Sequence, residues 1–220
     1  MFKIYKQSKQ VTQNQKLQIL DLVAQNSHAI SAYVFNPESA LHGYLTAREV
    51  ARTKKYLDRL GEIGAHGAVL LITEYNGIII GYILYHCTTL NEKDIAIAST
   101  VVDAKYRNQG ILKNMMDLLK TDNDSITLTC FVEKVKIYEK LGFKIMMQQG
   151  TQICMYYGNP DDGEIYAVDD DYIDKDSAVQ LELSKFQSQY PTTWRTFWDQ
   201  LAIDCNTEIR NAEAFIKNLV

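Results

Sequence analysis

Cysteine is scarce in this chain of 220 residues: Cys87, Cys130, Cys154 and Cys205 are scattered, and no two form a C-x-x-C pair. That spacing argues against a zinc ribbon and a dense disulfide framework, and it fits a reduced compartment. Long apolar runs are missing too. The longest purely apolar stretches, such as residues 68–72, and shorter ones such as 78–80, fall far short of the about 20 residues a membrane-crossing helix takes, so they read as buried strands. Residues 1–10 lack the continuous apolar stretch of a secretory signal, so export is not expected and a cytoplasmic location is. Nor is there a positive balance: 23 Lys and Arg against 27 Asp and Glu leave a net charge of -4. Sequence-independent nucleic-acid binding draws its affinity from cations that neutralise phosphates, so nucleic acid is a disfavoured partner. The four histidines, His28, His42, His66 and His86, show no metal-binding spacing such as H-E-x-x-H, and no metal is expected.

What is present suffices for a folded enzyme-sized core. Hydrophobic residues make up 46% and charged residues 23%, which places the chain outside the disordered range. Residues 2–5 read as a first strand. Leu17, Leu20, Val23 and Ala24 recur at helical spacing and predict a helix over 13–24. Thr46 with Glu49 matches a capping box, and Val50, Leu57 and Leu60 continue one apolar face until Gly61. Residues 68–74 and 78–85 are rich in β-branched and aromatic side chains, and Asn76-Gly77 between them predicts a type I′ hairpin.

Strand 94–102 follows, then a polar stretch, then a helix over 111–120 with Ile111, Leu112, Met115, Met116, Leu118 and Leu119 on one side. Residues 125–131 read as a strand, 133–141 as a short helix, and 143–147 and 152–157 as two closing strands. The fold class is α+β with a mixed sheet. After Gly158 acidic residues crowd the chain, which sets a boundary near Asn159. Residues 1–158 are the expected domain, and 159–220 an acidic linker with a helical C-terminal extension. There Trp194, Phe197, Trp198 and Leu201 fall at i, i+3, i+4 and i+7 after Pro191. This stripe is expected to pack against the domain, with a homodimer surface as the alternative, and the acidic run reads as a solvated loop.

The segment Val102-Asp103-Ala104-Lys105-Tyr106-Arg107-Asn108-Gln109-Gly110-Ile111-Leu112 joins a strand to a helix. Unpaired N–H groups and the positive end of the helix dipole converge at such a junction, and Gly110 lets an anion approach the backbone. Diphosphate binding is the chemistry this implies, with a turn glycine and a solvated Arg107 as the plain alternative. Further along, Ile137-Tyr138-Glu139-Lys140-Leu141-Gly142-Phe143 closes a short helix after a strand.

In that order the two segments resemble the GNAT superfamily of N-acetyltransferases, whose V-x-P-x-x-R-x-x-G-x-G/A signature precedes Y-E-K-L-G-F. The resemblance covers roughly residues 2–157. Ala104 stands where the family has Pro, Leu112 where it has Gly or Ala, and Phe131 and Lys134 replace a frequent Asn and Ala. Leu112 either narrows the diphosphate site or points into the core.

The resemblance implies a twisted mixed sheet whose fourth and fifth strands splay to admit the pantetheine arm of acetyl-CoA. Thr100, Val101 and Val102 would pair with that arm, while Arg107, Asn108, Gln109, Gly110, Ile111 and Leu112 hold the diphosphate. Tyr138 would be the general acid that protonates the departing thiolate. For the base, Glu74, His86, Glu92, Asp94 and Asp103 lie on or beside the central strands, and His86 is singled out for the histidine pKa near neutrality. Cys130 reads as a buried structural cysteine. The function expected is transfer of acetyl from acetyl-CoA to a primary amine acceptor, on a small molecule or a protein, in a ternary complex. A non-catalytic binding or regulatory protein on the same scaffold, or an RNA-directed acetylating toxin, is the alternative.

Overall fold

Asn76 and Gly77 both take positive φ, 51° and 79°, the backbone a two-residue type I′ turn demands. In the computed structural model, which describes residues 2–62 and 64–219, they join β2 (Ala68–Tyr75) to β3 (Ile78–Cys87) as the antiparallel hairpin the sequence predicts. Five more strands complete one sheet: β1 (Lys3–Gln7), β4 (Asp94–Val102), β5 (Ser125–Cys130), β6 (Lys144–Gln149) and β7 (Gln152–Tyr157). Their order is β1-β2-β3-β4-β5-β7-β6. Every neighbouring pair is antiparallel except β4 and β5. A parallel pair cannot be closed by a tight turn, and the crossover here carries α3 (Ile111–Asp122).

Helix α1 (Gln13–Ile30) opens on a capping box, with Thr12 Oγ1 accepting from Gln15 N and Gln15 Oε1 accepting from Thr12 N. It runs six residues past its expected end at 24. The polar Asn26 and Ser27 hid the continuation, because both sit buried on the face that carries Ile19, Leu22 and Val23. Helix α2 (His42–Asp58) also departs from expectation: it starts four residues before Thr46, with Leu41 at its N-cap and no side-chain cap. Leu41 and Leu45, both 1% exposed, extend the apolar stripe backwards, and packing outweighs the cap signal. Thr46 Oγ1 instead meets Ser27 Oγ of α1 at 2.7 Å.

The sheet divides the core in two. Against one face lie α1 and α2, where Ile19, Leu22, Leu45 and Leu57 meet Leu70, Ile72, Tyr82 and Leu84. Against the other lie α3 and the short α4 (Val135–Lys140), where Met115, Met116, Leu119 and Val135 meet Ile83, Ile126 and Met155. From Tyr82 to Tyr85 successive residues of β3 serve the two clusters in turn, as the two-residue period of a strand requires.

The acidic stretch is only in part the solvated loop expected of it, since residues 159–169 are loop with Asp162 and Glu164 exposed while its later part is helical and paired. It builds α5 (Asp170–Asp174) and leads into α6 (Ser177–Gln189), with the Asp169 and Asp176 side chains capping the two helices. Arg48 of α2, 3% exposed, pairs with Asp174 and Asp170, and Arg52 pairs with Asp170. Val168, Ile173, Val179 and Phe186 then bury against α1 and α2. The last helix, α7 (Trp194–Lys217), packs Trp194, Phe197 and Trp198 on the same cluster, with Trp198 edge-on to Tyr44 at 5.3 Å. Its far end turns Ala212, Phe215 and Ile216 into the opposite cluster, against β6 and β7. Among the described residues no helix is long and apolar enough to cross a membrane.

Glu49 of α2 is 7% exposed, with its carboxylate 3.6 Å from Arg52. Burial pushes its carboxyl above the usual carboxylate range, and the pull of Arg52 the other way does not overcome this. A carboxyl raised on folding binds its proton more tightly folded than unfolded. Stability is therefore full below the unfolded value, about 4.3, and is lost as pH rises through the folded value. Glu49→Gln is expected to abolish that decline: its urea midpoint exceeds that of the wild type at pH 7, and the two converge near pH 4.

Candidate active site

Strand β4 pairs with β3 along its length, yet it meets β5 only at Asp94↔Ser125, Ile95↔Ile126 and Ala96↔Thr127. Beyond these pairs the two strands part. The register between β3 and β4 shifts at the same place: Tyr85 faces Ile97 while Leu84 faces Ser99, so Ala98 is an extra residue. A bulge bends and twists its strand, which turns β4 away from β5. The backbone of β4 after Ala96 therefore has no ladder partner on its β5 side.

Into this parting opens a cavity of about 600 Å³. Residues 97–102 of β4 and 128–130 of β5 form its walls, the end of α1 forms one rim, and the loop before α3 closes one mouth. In that loop Asn108 and Gly110 both take left-handed backbone, φ 62° and 77°. Gly110 is the N-cap of α3, and the first bond of the helix runs from Asn114 N to Gly110 O at 2.9 Å. The N–H groups of Ile111, Leu112 and Lys113 are left without an intrahelical partner. A Cβ built on Gly110 would meet no atom within 4 Å, so the residue is required for its φ, and the space beside it is open.

Arg107 is braced at this mouth. Its Nε donates to Val102 O at 3.0 Å and its guanidinium donates to Asn26 Oδ1 at 2.7 Å. Asn26 is itself anchored, its Nδ2 donating to Leu22 O at 2.8 Å. Arg107, Lys113, Lys134 and Lys140 line the cavity, whereas no Asp, Glu or His does. Such a wall favours an anion.

Tyr138, on α4, enters from the opposite wall and packs edge-on to Phe143 at 5.8 Å. Burial raises its phenol pKa well above the ordinary value, the neighbouring Cys130 adds to this, and the Thr100 hydroxyl opposes it. The group stays protonated at neutral pH. Thr100 Oγ1 is itself buried in the cavity wall without a hydrogen-bond partner of normal geometry. Cys130, 3% exposed, has its thiol pushed up to about 12 by burial, which leaves it a poor nucleophile.

The structure thus gathers Thr100, Val101, Val102, Arg107 and Asn108 around one space. Gly110, Ile111, Leu112 and Tyr138 line the same space. Leu112 packs partly on the α3 core and also forms cavity wall. Gln109 does not line the cavity; its amide turns back to Lys105 O at 3.4 Å.

His86 is a correction. It is 1% exposed, its Nδ1 lies 2.9 Å from Gly67 O, and its ring is stacked among Tyr56 and Tyr166. Burial lowers its pKa, and it lies outside the cavity, so it has no route to an acceptor amine. Glu74, Glu92, Asp94 and Asp103 are also absent from the cavity wall.

Two residues of the site escape a reading of the sequence. Asn26 is one, and its signal is a polar residue at the buried i+7 position after Ile19. Lys134 is the other: its Nζ donates to Ala29 O at 2.7 Å, and its signal is a lysine where the GNAT pattern has a small residue.

One short parallel junction in an otherwise antiparallel sheet, with a cationic cavity beside it, is thus the arrangement that the fold and the site present. A sequence model of the Acetyltransferase (GNAT) domain matches residues 38–152 of the 220. The chain belongs to the GNAT acetyltransferase family and is an acyltransferase. No protein of curated function matches it in sequence.

Similar solved structures share the fold at low identity. The PaiA N-acetyltransferase of Thermoplasma acidophilum, solved in complex with coenzyme A, is 12% identical with a TM-score of 0.55 over 72% of this chain and 99% of its own. A GNAT-family protein from Desulfovibrio desulfuricans is 14% identical with a TM-score of 0.52 over the same 72% and 99%. An acyl-CoA N-acyltransferase from Pseudomonas aeruginosa is 16% identical with a TM-score of 0.50 over 72% and 100%.

Because a Cβ at Gly110 has room, Gly110→Ala isolates the cost of the left-handed backbone. The variant is expected to lose about 1–2 kcal/mol of stability, read as a lower midpoint in chemical denaturation with an unchanged slope.

Proposed function

We propose that the protein is an N-acetyltransferase that takes acetyl from acetyl-CoA and gives it to a primary amine, on a small molecule or a protein, by direct attack in a ternary complex. The observation that carries this is the parting of β4 from β5 after Ala96, continuous with the loop of Arg107 and Gly110. Residues 111–113 offer free N–H groups for a diphosphate, and the cationic wall without a carboxylate suits its charge. Thr100, Val101 and Val102 carry backbone groups that a strand-like pantetheine arm can satisfy. The coenzyme A complex of the T. acidophilum relative, on the same fold, supports the choice of donor.

In this reading a backbone N–H of β4 polarises the thioester carbonyl, and Tyr138 gives its proton to the leaving thiolate. No general base lines the cavity, so the acceptor reaches it as a free amine or releases its proton to water. Residues 1–158 form the catalytic domain, and residues 159–220 an extension that braces it through Arg48 and the aromatic face of α7. The four cysteines, free among the described residues, support a cytoplasmic location.

Calorimetric titration with acetyl-CoA tests the assignment. Saturable binding by the wild type is expected, and Gly110→Trp, which fills the open space beside the loop, is expected to lose it. No binding by folded wild type would overturn the reading. With an amine acceptor in hand, Tyr138→Phe is expected to lower kcat by about 100-fold or more while KM changes little.

A further inference from the structure

Lys134 crosses the sheet. Its backbone belongs to the turn Val132–Lys134 ahead of α4, on the face of Val135 and Phe143, yet its Nζ bonds Ala29 O near the end of α1 on the opposite face. It lines the cavity, so the crossing runs through the gap between β4 and β5. The same gap is where an acyl group and its acceptor amine have to meet.

Three further observations bear on what an amine does there. Lys134 and Tyr138 are four residues apart and share the cavity, so the two side chains rise from one side of the helix. No carboxylate lines the wall among the described residues, and the neighbouring Glu133, outside it, favours the ammonium form. Desolvation lowers the Lys134 pKa; the neighbouring Glu133 and Cys130 oppose it without overcoming it and Arg107 adds to it, whereas burial pushes the adjacent Cys130 thiol up to about 12.

We propose that Lys134 Nζ is itself an acyl acceptor, so that the protein acetylates its own gap. The inference rests on the acetyl-CoA reading of the site. The free amine attacks the thioester carbonyl, and a C–N bond forms as the C–S bond breaks. Tyr138 supplies the proton that the thiolate takes up and regains one from the attacking nitrogen through water, leaving acetyl-Lys134 and free coenzyme A. The product is neutral and bulkier, and it occupies the passage between the two faces, so the modification limits access of any other acceptor.

The test uses the full chain incubated with acetyl-CoA alone, followed by intact mass and peptide mapping. One acetyl group per chain is expected, on Lys134, formed at least about tenfold faster than on the exposed Lys185, because the bound donor and the amine share one site. Lys134→Arg keeps a cation in the gap but cannot be acetylated in this way. It is expected to lose the label, and a cooperative melt with saturable acetyl-CoA binding shows that the loss is neither one of folding nor one of the donor site. Binding by the wild type with Lys134 unlabelled, or labelled no faster than Lys185, overturns the role of the lysine and leaves the enzyme assignment standing. Absence of both binding and label overturns the two together.

Discussion

Three residue pairs hold the two halves of this sheet together. Asp94, Ile95 and Ala96 of β4 meet Ser125, Ile126 and Thr127 of β5, and everything that makes the molecule an acyltransferase scaffold lies beyond the point where this contact stops. Backbone groups released from a ladder must be satisfied by something else. On β4 they face a cavity of about 600 Å³. The bulge at Ala98 is the local cause, and the parallel direction of β5 guarantees that α3, with its free N–H groups, arrives at the open end.

Charge then selects what enters. Four cations and no carboxylate border the cavity, although the chain as a whole is acidic. The acidic residues are used elsewhere: Asp169 and Asp176 cap helices, and Asp170 and Asp174 bind the arginines of α2. Segregating the two signs in this way lets a protein of net negative charge attract a polyanionic donor. In the proposed reaction the incoming amine would meet no carboxylate or histidine in the cavity wall among the described residues, and its state would be decided by desolvation and water.

Local features of the fold were legible where one residue type has one physical use. Asn76-Gly77 could only be a tight turn, and the spacing of Met115, Met116 and Leu119 could only be a helix face. Reading failed where tertiary contact reverses a local preference. Thr46 has the chemistry of a cap, but Leu41 and Leu45 gain more by entering the core, so the helix begins earlier. Asn26 and Ser27 look like a helix end, yet they are buried because Arg107 and Thr46 come to meet them. The loop of the site was visible from Arg107 and Gly110, since backbone geometry at a strand-to-helix junction is a local matter. The error at His86 is of another kind: its pKa in water suggests a base, and only its depth beneath Tyr56 and Tyr166 shows that it has no access.

Helix α7 makes the weakness of the central junction tolerable. Its first turns rest on the helices that cover β2 and β3, and its last turns rest on β6 and β7. One helix of 24 residues therefore straddles the seam from outside. A sheet joined by so short a contact leaves its two halves to be tied from elsewhere, and a strut fastened to both does so. The aperture at the seam is thus a property of the whole chain: its width is set at the seam by the bulge and far from the seam by the tail.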